Sequence, residues 1–300
     1  MTIIAGFSSS RQGSAPLNLA AQLARTTGEK IIAAVVVERA LPAGVDPLED
    51  EYRGFLASRS GASLERVVEQ VRGDLDVSVT VHHSSSISQG LMELAAQHGA
   101  DVVVVGSSSS GLLGRIALGS VTERLVHTSK VAVALAPRGY PASPVPLRRL
   151  TVAYGGAADA VGLIATSAEL AKQWKVRLRI ASFTVRPLTM FGGLVDRSAE
   201  ELVVEQWTSK TTDAAVKQLN EARETIPIPD VDVVIGTGTD WREAVDDIAW
   251  ETGDVLLLGS GAAGPMAQVF LGTGASKILR HAPVPVKIVP KQQAHPNGAL

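Results

Sequence analysis

The sequence predicts an α/β protein built as two tandem, doubly wound domains, each a five-stranded parallel sheet with helices on both faces. Three observations carry that prediction. Short Val/Ile-rich runs alternate with longer Ala/Leu-rich stretches of helical pattern along the chain. The second half repeats the first at a nearly constant offset. The length of 300 residues exceeds one α/β unit of ordinary size and suits two of about 150.

In the first half, strands are predicted near Ile3 to Phe7, Lys30 to Val37, Val77 to His82, Asp101 to Gly106 and Val131 to Ala136. Helices fall between them, near Ala15 to Thr26, Glu49 to Arg72, Ser88 to His98 and Ser120 to Thr128. The second half repeats the pattern, with strands near Leu150 to Tyr154, Arg177 to Thr184, Val231 to Gly236, Asp254 to Gly259 and Pro285 to Val289. Strand, helix, strand repeated four times implies parallel strands joined by right-handed crossovers. The ligand crevice of such a sheet lies beyond the carboxyl ends of its strands, at the topological switch point.

The repeat is explicit in residues 96 to 137 laid on 249 to 290, an offset of 153. Eleven of 42 ungapped columns are identical, among them Asp101/Asp254, Gly106/Gly259, Gly119/Gly272 and Pro137/Pro290, where composition would give about three. Near the start of each half the offset becomes 147, pairing Phe7 with Tyr154 and Leu23 with Leu170. Between the copies, Pro137 to Pro146 holds four prolines in ten residues, which denies helix and sheet alike and predicts a short extended linker. The domains are therefore expected over residues 1–140 and 147–290, with the last ten residues, polar and carrying Pro296 and Gly298, frayed.

Composition narrows the function classes. With 45% hydrophobic and 19% charged residues the chain can bury two cores. Its apolar runs are far shorter than the roughly 20 residues that cross a bilayer, and the N-terminus runs into a strand without a basic leader, so no membrane association or secretory signal is expected. Net charge is −2, with no basic cluster and three to five each of Phe, Tyr and Trp, which gives nucleic-acid binding little support. The absence of cysteine removes disulfides, thiolate metal sites and cysteine nucleophiles, and fits a reducing, cytoplasmic setting.

The most informative stretch is Gly106-Ser-Ser-Ser-Ser-Gly111-Leu-Leu-Gly114-Arg115-Ile-Ala-Leu-Gly119-Ser120-Val121, with its counterpart from Gly259 to Gly272-Thr273-Gly274. A small-residue loop leaves a hydrophobic strand, and Gly-Ser or Gly-Thr then opens a helix. One reading is an anion site, in which glycines let backbone N–H groups approach and the helix start favours phosphate. The other is a tight turn followed by a helix cap at Ser120 or Thr273.

At these residues the chain resembles the universal stress protein family, whose ATP-binding members carry Gly-x-x-Gly, nine residues, then Gly-Ser or Gly-Thr after the fourth strand. Gly106 and Gly119-Ser120 are 13 apart, as are Gly259 and Gly272-Thr273, so the outer spacing occurs twice. The resemblance covers nearly all of both halves, and the chain is similar to the tandem members. It implies a Rossmann-like sheet of order 3-2-1-4-5 in each half, in which the switch point brings Phe7-Ser8-Ser9 opposite the Gly106 loop and Tyr154-Gly155-Gly156 opposite the Gly259 loop. It also implies a stress-response role without enzymatic activity and a nucleotide, ATP or a relative, as ligand.

Two departures bear on that ligand. The family's second glycine is Ser109 in the first half and Ala262 in the second. The aspartate after strand 1, which the resemblance assigns to adenine, is replaced by Phe7 and Tyr154. An aromatic ring supplies no paired acceptor for a base edge; it stacks on a base or fills the pocket. The candidate binding residues are Phe7, Ser8, Ser9, Gly106, Ser109, Gly119, Ser120 and Val121 in the first half, with Tyr154, Gly155, Gly259, Gly272 and Thr273 in the second. A structural or partner-binding module with degenerate crevices stands as the alternative.

Serine clusters at 8–10, 84–86 and 107–110 follow strands 1, 3 and 4 and should converge on one sheet edge, as a polar pocket or as loop and cap residues. His82 and His83 are adjacent on a predicted strand and face opposite ways, which disfavours a shared metal. His98, His127 and His281 lie at helix ends, where a solvated or dipole-stabilised histidine is expected. Asp101 and Asp254 lead into strand 4, opposite the crevice. The Tyr154 to Asp159 loop is only faintly similar to the phosphate loop of ATP pyrophosphatases, its aspartate one place late. No general base suggests an enzyme. The fifth strands are apolar edges that need covering, and the family resemblance, in which such strands pair edge to edge across dimers, implies that the two halves pack as an intrachain pseudo-dimer. The insertions at 41–60 and 188–207 offer aromatic side chains for a homodimer.

Overall fold

The computed structural model describes residues 2–8, 13–38, 47–155, 160–185, 231–259 and 273–290, with isolated helical and turn positions between 206 and 224. In the first half β1 (Thr2–Gly6), β2 (Lys30–Glu38), β3 (Val77–Ser84), β4 (Val102–Gly106) and β5 (Ala132–Ala136) alternate with α1 (Ser14–Thr27), α2 (Pro47–Arg72), α3 (Ile87–Gln97) and α4 (Ser120–Thr128). In the second half β6 (Arg149–Ala153), α5 (Ala160–Trp174), β7 (Arg177–Val185), β8 (Val231–Gly238), α6 (Trp241–Asp246), β9 (Asp254–Gly259), α7 (Thr273–His281) and β10 (Val286–Val289) follow.

The ten strands of the described residues join one sheet in the order β3-β2-β1-β4-β5-β10-β9-β6-β7-β8. Within each half the neighbours run parallel, and β1 and β6 sit at corresponding central places. The halves meet through their fifth strands: β10 runs antiparallel to β5, with Val286 opposite Leu135, Lys287 opposite Ala134 and Ile288 opposite Val133. Each edge strand thereby covers the other's unpaired N–H and C=O groups.

Strand periodicity divides the core into two layers. Ile3, Ala5, Val102, Val104 and Ala134 face one side, where Leu19 and Leu23 of α1, Leu64 and Val68 of α2, and Ile164 and Ala168 of α5 pack on them. Ile4, Val103, Val105, Val133 and Leu135 face the other, against Leu91 of α3, Leu125 of α4, Val245 of α6 and Leu279 of α7. Strands covered on both faces need apolar residues at successive positions, which is why Val102 to Val105 is an unbroken run. α1 ends at Gly28, whose φ of 75° and N–H bond to the Ala24 carbonyl make a left-handed cap.

The proline-rich segment between the halves is stitched to α1. Asn18 Nδ2 donates to the Tyr140 carbonyl at 2.9 Å, Gln22 Nε2 to that of Val145 at 3.0 Å and Arg25 Nη1 to that of Ser143 at 2.8 Å. Thr26 Oγ1 accepts the Leu147 N–H at 2.9 Å. These contacts account for Asn18 and Gln22, polar residues buried on a helix that otherwise packs on the sheet.

Candidate functional site

At the carboxyl edge of the first half's sheet, where β1 and β4 lie side by side and their crossovers leave in opposite directions, a cleft of about 790 Å³ opens. Phe7 and Ser8 after β1, Gly106 and Ser109 after β4, and Gly119, Ser120 and Val121 at the start of α4 all line it. The first-half candidates that the structure describes are therefore together in one place. Ser9 lies outside the described residues.

Close packing holds the β1 side. Phe7 continues the strand ladder with its N–H 2.8 Å from the Ala34 carbonyl, and its ring packs half-buried on the core. Gly13, which caps α1, sits so close that a Cβ there would lie 2.0 Å from the Ser8 carbonyl oxygen and 2.7 Å from Phe7 Cε2. The ring forms an apolar wall of the cleft.

On the β4 side the serines divide by task. Ser107 Oγ accepts the Ala117 N–H at 2.7 Å, and the Ser108 N–H donates to the Ala117 carbonyl at 2.7 Å, closing the loop on itself. The Ser108 and Ser110 hydroxyls pair at 3.0 Å. Gly111 is needed here because a Cβ would meet that of Ala117 at 2.6 Å. Ser109 is exposed at the cleft, and no hydrogen bond occupies its hydroxyl among the described residues. Thr122 Oγ1 donates to the Gly106 carbonyl at 3.2 Å, tying α4 to the strand end.

α4 begins at Gly119, an extended residue, and no side chain caps its first turn. Ser120 is the first helical residue, so its hydroxyl is not the cap that one reading of the sequence assigned to it. The opening N–H groups of an α-helix have no intrahelical partner, and here they line the cleft with the positive end of the helix dipole. This arrangement can receive an anion.

The third serine cluster does not join the cleft. Ser86 caps α3 by accepting the Gln89 N–H at 3.3 Å, Ser85 bonds Gln89 Oε1 at 2.7 Å, and Ser84 Oγ is buried without a partner. Cap chemistry claims the residues before α3, so the expected convergence of three clusters reduces to two. The sequence reading also missed α2 as a wall: Tyr52, Leu56 and Ser60, spaced by one helical turn each, line the cleft with Arg53. That spacing was the available signal.

The second half differs. Tyr154 is 4% exposed, buried in the core with its N–H 2.7 Å from the Ala181 carbonyl, and burial raises its phenol above the ordinary value. Its ring packs in the core cluster at the end of β6. Gly155 has open space around it, while a Cβ on Gly259 would press Leu163 Cδ2 at 3.0 Å. Thr273 opens α7 and is exposed; Gly272 and residues 260–271 lie outside the described residues.

His82 Nε2 lies 2.7 Å from Glu93 Oε2, and hydrogen bonds from His82 and then Gln89 hold that carboxyl below its ordinary pKa. Among the described residues no group of three or more His, Asp or Glu could hold a metal ion, and no helix is long and apolar enough to cross a membrane. Burial lowers the pKa of His281, at the end of α7. Its carbonyl accepts a bond from Arg115 Nη1, while Arg115 Nη2 contacts both Asp246 oxygens at 2.8 Å. The loop beside the cleft is thus tied to the second half.

The fold and site define a tandem, doubly wound α/β protein with an open crevice over the first half's switch point. A sequence model of the universal stress protein family matches residues 1–137 and 146–290. Universal stress proteins of Mycobacterium tuberculosis and Mycobacterium bovis are 33% identical over 295 residues, covering 97% of this chain and all of theirs. The chain belongs to the universal stress protein family. Among solved structures, a universal stress protein from Archaeoglobus fulgidus aligns over 97% of this chain and 98% of its own with a TM-score of 0.55 at 19% identity. A functionally unknown protein from Pseudomonas aeruginosa aligns over 98% of this chain and 94% of its own with a TM-score of 0.57 at 15% identity. At those identities the likeness concerns the fold.

Proposed function

We propose that this is a non-enzymatic stress-response protein that binds a nucleotide of the ATP kind, or another phosphate-bearing ligand, in the cleft of its first half. The observation that carries the reading is the uncapped start of α4: the amides from Ser120 onward line the same cleft as Gly106, the exposed Ser109 hydroxyl and the Phe7–Ser8 turn. Phosphate sits against the amides and serine, and any base rests against Phe7 and Tyr52. No carboxylate follows β1 to read an adenine edge, so the phosphate dominates. Losing a paired base contact costs about 1–3 kcal/mol, roughly one to two powers of ten in affinity.

Titration calorimetry with ATP, GTP and inorganic phosphate tests the reading. The expected outcome is comparable, millimolar-range binding of ATP and GTP that Gly119→Val abolishes and Gly119→Ala leaves largely intact. A Cβ at Gly119 reaches no closer than 3.5 Å to Ser108 Cβ, so alanine fits, whereas the branched valine shields the helix start. Tight adenine-selective binding would instead make Phe7 a base-stacking residue.

A second reading, a partner-binding module with degenerate crevices, is favoured by the buried Tyr154 and by Leu112 and Leu113, which are 70% and 77% exposed on the loop between β4 and α4. It becomes the better account if none of the three ligands binds and Phe7→Asp fails to create binding.

A further inference from the structure

Asp101 and Asp254 are equivalent in the repeat, yet the two halves treat them differently. Asp254, buried at the start of β9, is gripped by Arg149 and approached by Arg179 at 3.6 Å. At the places corresponding to those arginines the first half has Thr2 and Ile32, since β1 and β2 pair in the same register as β6 and β7. Asp101 has no arginine, and its Oδ2 is buried without a hydrogen-bond partner.

Asp101 instead lines a second cavity, of about 270 Å³, between α1 and α5 where the two halves meet. Glu29, just beyond α1, and Lys287, on the strand that forms the seam, line it too. Among the described residues no hydrogen bond or ion pair engages the Glu29 carboxylate or the Lys287 ammonium, whose contact is with the Trp174 ring, its Nζ 4.8 Å from the centroid. Burial, then the charge of Asp101, pushes the Glu29 carboxyl up; burial draws Lys287 down to about 8. Thr166 Oγ1, also buried and unpartnered, adds to the polar wall. Thr27, Glu169 and Gln173 line it as well, and the apolar part is formed by Ile3, Leu23, Leu170 and Val289.

Partly buried charges that attract one another without a direct hydrogen bond or ion pair are incompletely satisfied, and a concave site holding both signs is one that a ligand can complete. A simple anion would meet Glu29, Asp101 and Glu169, and a simple cation would meet Lys287. A molecule with both charges satisfies each end. We infer that this cavity binds a small zwitterion of the apolar α-amino-acid class, its carboxylate toward Lys287, its ammonium toward Glu29 and Asp101, and its side chain against Trp174 and Leu170. The inference is independent of the cleft beside α4.

Calorimetry on the full chain with L-leucine, L-methionine and L-phenylalanine tests it, followed by the amide and the N-acetyl derivative of whichever binds tightest. The amide lacks the carboxylate and the N-acetyl form lacks the ammonium. At least one amino acid is expected to bind, with both derivatives at least tenfold weaker. Lys287→Met should bring the amino acid and its amide to similar affinity, and Glu29→Gln should do the same for the amino acid and its N-acetyl form. The variants' far-ultraviolet circular dichroism should match that of the parent. Absence of heat with all three amino acids, equal binding of the derivatives, or unchanged affinity in both folded variants would overturn the assignment. ATP titrated into the same samples reads the other cleft separately.

Discussion

Arg149 holds Asp254 by two parallel bonds, Nε to Oδ1 at 2.9 Å and Nη2 to Oδ2 at 2.5 Å, with both residues buried. Arg179 lies beside the pair, with its Nε 3.1 Å from Thr151 Oγ1 and its guanidinium 4.9 Å from the Trp250 ring centroid. Both arginines also donate to the Ala249 carbonyl. The geometry is a closed fork that supports the amino end of β9, opposite the crevice edge. Removing the carboxylate leaves two buried guanidinium groups side by side, with the half-exposed Glu251, 3.2 Å from Arg149 Nη1, as the remaining carboxylate contact. Asp254→Ala should therefore cost about 3–5 kcal/mol in urea unfolding, whereas Asp101→Ala, which deletes an unpartnered acid, should cost far less or stabilise. Equal losses at the two sites would show that the halves treat these acids alike after all.

Lys287 sets a second expectation, in pH. Its folded pKa of about 8 lies below the ordinary 10.5, so between those values the unfolded chain binds more protons than the folded one. Stability attributable to this group therefore rises as pH climbs from about 8 to 10.5 and is lost as pH falls back through 8. Tyr140 acts in the opposite sense from pH 10 upward, because burial raises its phenol to about 12. The difference between the parent and Lys287→Met isolates the lysine. The variant should be about 1–3 kcal/mol more stable at pH 7, with the gain vanishing by pH 10.5. A gain that is flat with pH would refute the assignment to charge burial.

Gly13 gives a steric prediction. Its backbone is helical, with φ of −62°, so alanine is conformationally allowed. The added Cβ, however, meets the Ser8 carbonyl oxygen at 2.0 Å, and backbone cannot swing aside as a long side chain could. Gly13→Ala should cost about 1–3 kcal/mol and displace the Phe7–Ser8 turn, weakening ATP binding together with stability. Thermal unfolding and calorimetry on the same sample would check both parts. A variant of parental stability would mean that the α1 start relaxes freely.

What the sequence disclosed is what local pattern controls. The four-residue runs such as Val102 to Val105 and the glycine punctuation at Gly106 and Gly119 marked strand, loop and helix start because their constraints are short in range. The pairing of β5 with β10 was legible as well, because an apolar edge strand needs a partner and the family resemblance supplied which one. Long-range partners were not. Nothing in the spacing of Arg149, Arg179 and Asp254 announces that three distant segments bury one charge cluster. Glu29, Asp101 and Lys287 likewise meet only because the two halves join. Tyr52 was read only among insertion aromatics that could form a homodimer contact; its place in the cleft wall depends on where α2 packs. The proline-rich linker looked like a spacer because its hydrogen bonds come from α1, more than a hundred residues away.

That linker offers the last prediction. Gln22 is fully buried, donating to the Val145 carbonyl at 3.0 Å and accepting the Tyr140 hydroxyl through Oε1. Gln22→Leu keeps most of the volume but leaves the Tyr140 phenol without its acceptor and the Val145 carbonyl with Ser143 Oγ, at 3.3 Å, as its remaining side-chain donor, a loss of about 1–3 kcal/mol. Tyr140→Phe removes one donor and leaves Gln22 Oε1 without its partner, at about 1 kcal/mol. Because each single change already breaks the same bond, the double variant should be less destabilised than the sum of the two. The resulting coupling energy should be about 0.5–2 kcal/mol, well above the error of additivity for separate sites. Strict additivity in urea unfolding would mean that the two side chains stabilise the linker independently and that the stitch to α1 is not a unit.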